Sequence, residues 1–274
     1  MPEGFRRRRA AIAVALSLGL GALLAAQGLD LGAAPSPTDS AAIADLPSVG
    51  LWMLNGSGSI AHWLGEKVRG KTLQEPINVI IVDGVSRTET EAIARLEAAC
   101  EKSEFEKRIG HSGGYQAYIG GMLFDQIPRD KLKAFSDGPF EFSNNHGRLF
   151  GPAPLKAGYL FTGAFSREHA NIMTKTKHLF SSFNQARDAF ARAMERSGYY
   201  EVAGFAALGS AIVDSTEFTT MDHDGVAVLL RALPVPIRPA PRPSPPEATP
   251  DAAPSGIPPP PAAPWSLYPG LPSR

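Results

Sequence analysis

Cysteine is almost absent: Cys100 is the sole one in 274 residues. An intramolecular disulfide is therefore excluded, and no lipid-attachment cysteine follows the N-terminal apolar stretch. Cys100 reads either as a nucleophile or redox sensor, or as a small apolar residue on a helix face. The helical spacing of its neighbours favours the second. Charge imbalance is missing too. The chain has 27 Lys+Arg against 27 Asp+Glu, and residues 76–232 carry 17 basic and 19 acidic side chains. A nucleic-acid partner asks for a basic stripe, and this segment has none. The spacings H-x-x-x-H and H-E-x-x-H do not occur, nor does a Gly-Lys-Ser/Thr phosphate loop. Spacing alone therefore predicts no metal and no cofactor.

What is present starts at the N-terminus. Residues 6–9 are all arginine, and "AAIAVALSLGLGALLAAQGL", residues 10–29, carries no charge. Twenty helical residues at about 1.5 Å each span about 30 Å, one hydrocarbon core. A basic cluster, an apolar run and small residues at its end also describe a secretory signal. Residues 1–31 are thus a cleaved signal peptide or an uncleaved membrane anchor. Either way the arginines stay in the cytoplasm and the rest is extracytoplasmic: secreted, periplasmic or tethered to the inner membrane.

The remainder divides by composition. Residues 32–56 open with small and polar residues and prolines, as a linker does. In residues 57–75, Ile60, Trp63, Leu64 and Val68 fall on one helical face, which predicts a short amphipathic helix that lies on a membrane surface or, favoured because only Lys67 and Arg69 are basic, docks on the next domain. "INVIIVD", residues 77–83, predicts a strand buried on both faces. Ser86 and Glu89 look like a capping box for a helix running to about Phe105. Residues 106–140, rich in glycine, carry no clear period. "HGRLFGP" and "AGYLFTGAFSRE" read as a hairpin, Ser182 and Gln185 as a second capping box, and Gly198 as a helix C-cap. "YYEVAGFAAL" and "GVAVLLRAL" read as final strands. The order β-α-β-β-α-β over residues 76–232, with room for an extra strand, predicts an α+β fold: a two-layer, ferredoxin-like sandwich. Sixteen of the 25 prolines lie between residues 234 and 272. The tail, residues 233–274, is therefore an extended spacer, or a ligand for a proline-reading protein partner.

Two places carry candidate chemistry. "GHSGG", residues 110–114, matches the G-x-S-x-G nucleophile elbow with Ser112 as nucleophile. That motif needs a buried strand before it and a helix after it, and "FEKRI" is a poor strand of that kind. The hairpin is the better place. Alternation puts His146, Arg148 and Phe150 on one face, with Ser166, Arg167 and Glu168 at the end of the partner strand. Arg148 can hold a carboxylate or phosphate in a bidentate fork. The plainer alternative is a solvated sheet face with a cross-strand ion pair. Asp222-His223-Asp224-Gly225 reads as a turn into the last strand.

In order, residues 75–83, "NNHGRLF", "GYLFTGAFSRE", His178 before "NQARDAF", and "MDHDGVAVLL" resemble the C-terminal domain of LssY-type bacterial proteins, over about residues 75–230. Two positions depart from that pattern. Asn145-His146 stands where the family tends to have paired histidines, and His223-Asp224-Gly225 stands for its Thr-Asp-Gly turn. Such domains often accompany membrane-embedded lipid-phosphatase-like or DedA-like regions, with no established activity of their own. Here the domain follows a single N-terminal apolar segment, so no lipid-phosphatase activity carries over from the resemblance. It adds His178 to the recognition cluster. The expected function is an exported or membrane-tethered binding module using His146, Arg148, Arg167, Glu168 and His178, with membrane contact through residues 10–29 if they are uncleaved. The alternative is a hydrolase using His146, Arg148, Glu168 and His178, or Ser112.

Overall fold

The computed structural model describes residues 34–170 and 178–236. The apolar segment 10–29 and nearly all of the proline-rich tail lie outside them. In chain order the elements are β1 (Ser40–Ala41), β2 (Val49–Gly50), β3 (His62–Val68), β4 (Lys71–Gln74), β5 (Val79–Asp83), helix α1 (Glu89–Lys102), β6 (Glu106–Ile109), β7 (Gln116–Ile119), β8 (Met122–Ile127), β9 (Lys133–Ser136), β10 (Asn144–Pro154), β11 (Tyr159–Ala170), β12 (His178–Ser182), helix α2 (Phe183–Ser197), β13 (Tyr200–Ala207), β14 (Phe218–Thr219) and β15 (Val226–Ala232).

The two-layer ferredoxin-like sandwich is not what forms. The fold is mostly β, with a single twelve-stranded sheet curled into a half-barrel. Its main path runs β1-β2-β7-β8-β10-β11-β5-β15-β13, with β12 beside β11 and β9 linking β6 to β10. Strands β14, β4 and β3 make a second, small sheet. The α+β expectation failed because the glycine-rich residues 106–140 hold four strands of four to six residues, too short to show a period.

Strand β5 shows how the sheet is covered. It pairs antiparallel with β11 and parallel with β15, so it is central. Val79 and Ile81 face α1 and α2, which bury Leu96, Cys100, Phe190 and Met194 against them. Ile80 faces the other way, where Leu51, Trp52, Met53 and Leu54 cover it together with Phe150 and Leu160. Both faces are thus apolar, as the unbroken run of β-branched residues predicts.

Several local expectations change. Residues 32–56 are not a free linker: β1 pairs with β2, and Trp52 Nε1 donates to Asp39 Oδ2 at 3.2 Å. Residues 57–75 are not a helix. Strands β3 and β4 pair as a hairpin, and Arg69 and Gly70 between them both have positive φ, 52° and 83°. Two left-handed residues are what a tight type I′ hairpin turn requires. The N-cap of α1 is Thr88, not Ser86: its hydroxyl accepts from Glu91 N, while Ser86 Oγ donates to Asp83 Oδ2 at 2.6 Å. For α2, Ser182 caps the start by accepting from Gln185 N, and Gly198 ends it at φ 73°.

The β10–β11 hairpin does form. Asn144 pairs with Glu168, His146 with Ser166 and Arg148 with Ala164. Strand β10 is also paired on its other side, by β9 and β8. So "NNHGRLFGP" lies in the sheet interior, and it continues past Gly151 through a register shift between Phe150 and Ala153.

Candidate metal centre

The face of β10 that carries Phe150 points away from the helices. Asn144, His146 and Arg148 share that face, and Glu168 joins them from β11 by alternation. The face is not solvated. His146 and Arg148 are each 4 % exposed, Glu168 2 % and His178 4 %. Three other segments close over it: Trp63 from β3, Glu75 just before β5, and the 110–115 loop with His111, Ser112 and Tyr115. With Phe140 they enclose a cavity of about 150 Å³.

Glycine places the loop. Gly110 has φ 103°, and a Cβ there would strike the Phe140 ring. A Cβ on Gly113 would run into the Lys131 carbonyl. Only glycine lets the loop press this close, and the result is that His111 stacks on His146, with ring centroids 4.6 Å apart.

The polar groups are knotted around Glu168. Its Oε1 accepts from Asn144 Nδ2 at 2.7 Å, and His178 Nδ1 lies 3.0 Å from the same oxygen. His146 Nδ1 is 3.1 Å from Asn144 Oδ1 and 3.8 Å from Glu168 Oε1. With Nδ1 donating to Asn144, Nε2 of His146 keeps its lone pair. Among the described residues, His111 Nε2 is buried without any hydrogen-bond partner. Ligand atoms from His111, His146 and Glu168 all lie within 4.8 Å of one another.

Burial sets the charges. It lowers the His111 pKa to about 4, helped by Arg148 and His178, and holds His146 well below its usual value. Both imidazoles are therefore neutral at pH 7, which is the form that binds a metal. Burial raises Glu168, against the hydrogen bond from Asn144 and the His178 charge. It pushes Glu75 up to about 7, with Arg148 pulling the other way. Arg148 stacks over the Tyr115 ring, 4.7 Å from its centroid, and donates from Nη2 to the Ser112 carbonyl.

Four of the sequence-predicted residues, His146, Arg148, Glu168 and His178, therefore meet in one cavity. Arg167 does not. It sits on the opposite face of β11 and donates to Asn145 Oδ1 at 3.3 Å. Ser112 lines the cavity mainly as a loop residue: its hydroxyl is 2.8 Å from Tyr115 OH, and the chain after it enters strand β7, not a helix. The nucleophile-elbow context is therefore missing. Cys100 is buried in the helix-side core, where burial pushes its thiol pKa strongly up, so it is not a nucleophile. Sequence patterning missed His111, Glu75 and Trp63. His111 stood inside "GHSGG", where the motif drew attention to its serine neighbour.

Two imidazoles and a carboxylate from three separate chain segments form the donor set of a mononuclear transition-metal site. The orphaned His111 nitrogen fits it, since a buried imidazole nitrogen without a partner is costly unless something ligates it. The fold and cavity thus define a curled β-sheet domain with a histidine–carboxylate centre. No protein-family model, curated protein or solved structure matches the chain.

Proposed function

We propose that this chain is an extracytoplasmic metal-binding domain, exported or held at the membrane through residues 10–29. A divalent first-row transition ion such as zinc is ligated by His111, His146 and Glu168. His178 holds the Glu168 carboxylate, and three protein ligands leave a coordination position open toward the cavity, as in catalytic rather than structural sites. The observation that carries this reading is the convergence of the three ligand atoms within 4.8 Å. Tetrahedral ligands about 2.0–2.2 Å from zinc sit roughly 3.4 Å apart, so an ion would draw the three groups inward.

The location rests on the four arginines before an uncharged run of twenty residues. A reporter fused after residue 35 should be translocated, and one that stays cytoplasmic refutes the export half of the proposal. For the metal half, the full-length protein is purified without chelator and its metal measured by mass spectrometry. One equivalent of a transition metal is expected for the wild type, and a large loss for His146→Ala. Metal content indistinguishable between the two would refute the assignment.

A further inference from the structure

The cavity holds a cation that nothing committed neutralises. Arg148 is buried, and among the described residues it makes no ion pair within 4.0 Å. Its Nη2 is spent on a neutral carbonyl, that of Ser112, and its Nε has no hydrogen-bond partner among the described residues. The acidic groups that act on it are Glu75, Tyr115 and Glu168. Glu168 is engaged by Asn144 and His178, and by the ion in the reading above. Glu75 lines the same cavity, but among the described residues its carboxylate accepts no hydrogen bond and makes no ion pair within 4.0 Å with Arg148. An unpaired buried guanidinium is expensive, and adding a divalent ion makes the surplus of positive charge larger.

We infer that the cavity binds an oxyanionic group, a phosphate or a carboxylate, held between the Arg148 guanidinium and the metal ion. This rests on the metal assignment above. The guanidinium fork suits either group, and its planar face is already fixed against Tyr115. The open coordination position and the cavity of about 150 Å³ beside it give the ligand's oxygens a place. Trp63 and Phe140 wall that space, so the group that enters loses water and gains from both charges. Glu75 is the internal competitor: when ionised it offers Arg148 a carboxylate of its own.

The test uses full-length protein loaded with zinc, titrated calorimetrically with inorganic phosphate and, separately, acetate at pH 8. Binding of at least one probe is expected. Arg148→Gln should weaken it by roughly tenfold or more while zinc content stays at the wild-type level. Glu75→Gln should tighten it, because the competing carboxylate is removed. The stronger of the two probes identifies the ligand as a phosphate or a carboxylate. Zinc-loaded protein that binds neither probe overturns the inference, as does Arg148→Gln binding as well as wild type, or equal affinity of zinc-loaded and zinc-free protein. A wild type that retains no zinc overturns the metal assignment instead, so the two failures are distinguishable.

Discussion

Glu168 receives contacts from Asn144, His146 and His178, and only one of these three neighbours is assigned as a metal ligand. His178 and His146 therefore differ in role, one an orienting partner and the other a ligand. His178→Ala should lower zinc affinity by about 10–100-fold, as loss of an orienting partner does, while His146→Ala removes a ligand and should cost more. Competition with a chromogenic chelator measures both, and equal losses would contradict the division. A second residue tests burial away from the centre. His223 accepts or donates at 2.8 Å with Ser210 Oγ, and burial lowers its pKa from 6.5 to about 4. Between those values the unfolded chain takes a proton that the folded chain refuses, so stability falls as pH drops through about 6.5 toward 4. Lowering pH from 7.5 to 5 should cost wild type roughly 1–2 kcal/mol more than His223→Gln, read from thermal melts. Glu75 works in the opposite direction over about 4.5 to 7 and is common to both proteins. Much of the centre was legible at this scale. Strict alternation on β10 and β11 selects His146, Arg148 and Glu168, and the same alternation excludes Arg167, which had been grouped by proximity in sequence. His178 entered through family resemblance, since its strand carries no motif.

At the scale of elements, the loop between β6 and β7 decides whether the centre is complete. Gly113 touches the Lys131 carbonyl so closely that any side chain must move one of them. Gly113→Ala should cost about 1–3 kcal/mol and also reduce zinc affinity, because the loop carries His111 out of place. Thermal melts with a zinc titration check this, and unchanged zinc binding would show that His111 is dispensable. This loop could not be read from sequence. Its glycines are needed for contacts with Phe140 and Lys131, which are remote in the chain, and nothing local announces them. The helices were easier. The cap of α2 was read correctly from Ser182, Gln185 and Gly198, since those contacts are local. The cap of α1 was misplaced by two residues because Ser86 is drawn to Asp83. In residues 57–75 the spacing of Ile60, Trp63 and Val68 suits a helix, but Arg69-Gly70 turns the chain into a hairpin, and Trp63 packs on Leu73 and Phe183.

For the whole molecule, the sheet keeps two apolar faces and places its polar groups at one spot between covering segments. Helices α1 and α2 cover one face, while residues 49–61 and 208–212 cover the other. The proposed metal centre lies on that second face, at the end where apolar cover gives way to histidine and carboxylate. A ferredoxin-like layout would have left this face to solvent on one side. Here β3 of the small sheet and the 110–115 loop close over the β10–β11 hairpin, and β12 pairs beside β11 to bring in His178. Among the described residues no helix is long and apolar enough to cross a membrane. Residues 10–29, on which the proposed membrane attachment rests, lie outside them. The most direct measurement is X-ray absorption at the zinc edge on the zinc-loaded full-length protein. Two imidazole nitrogens at about 2.0 Å with oxygen completing the shell are predicted, falling to one imidazole in His111→Ala. A shell of oxygens alone, or a wild-type spectrum that His111→Ala leaves unchanged, would contradict the account.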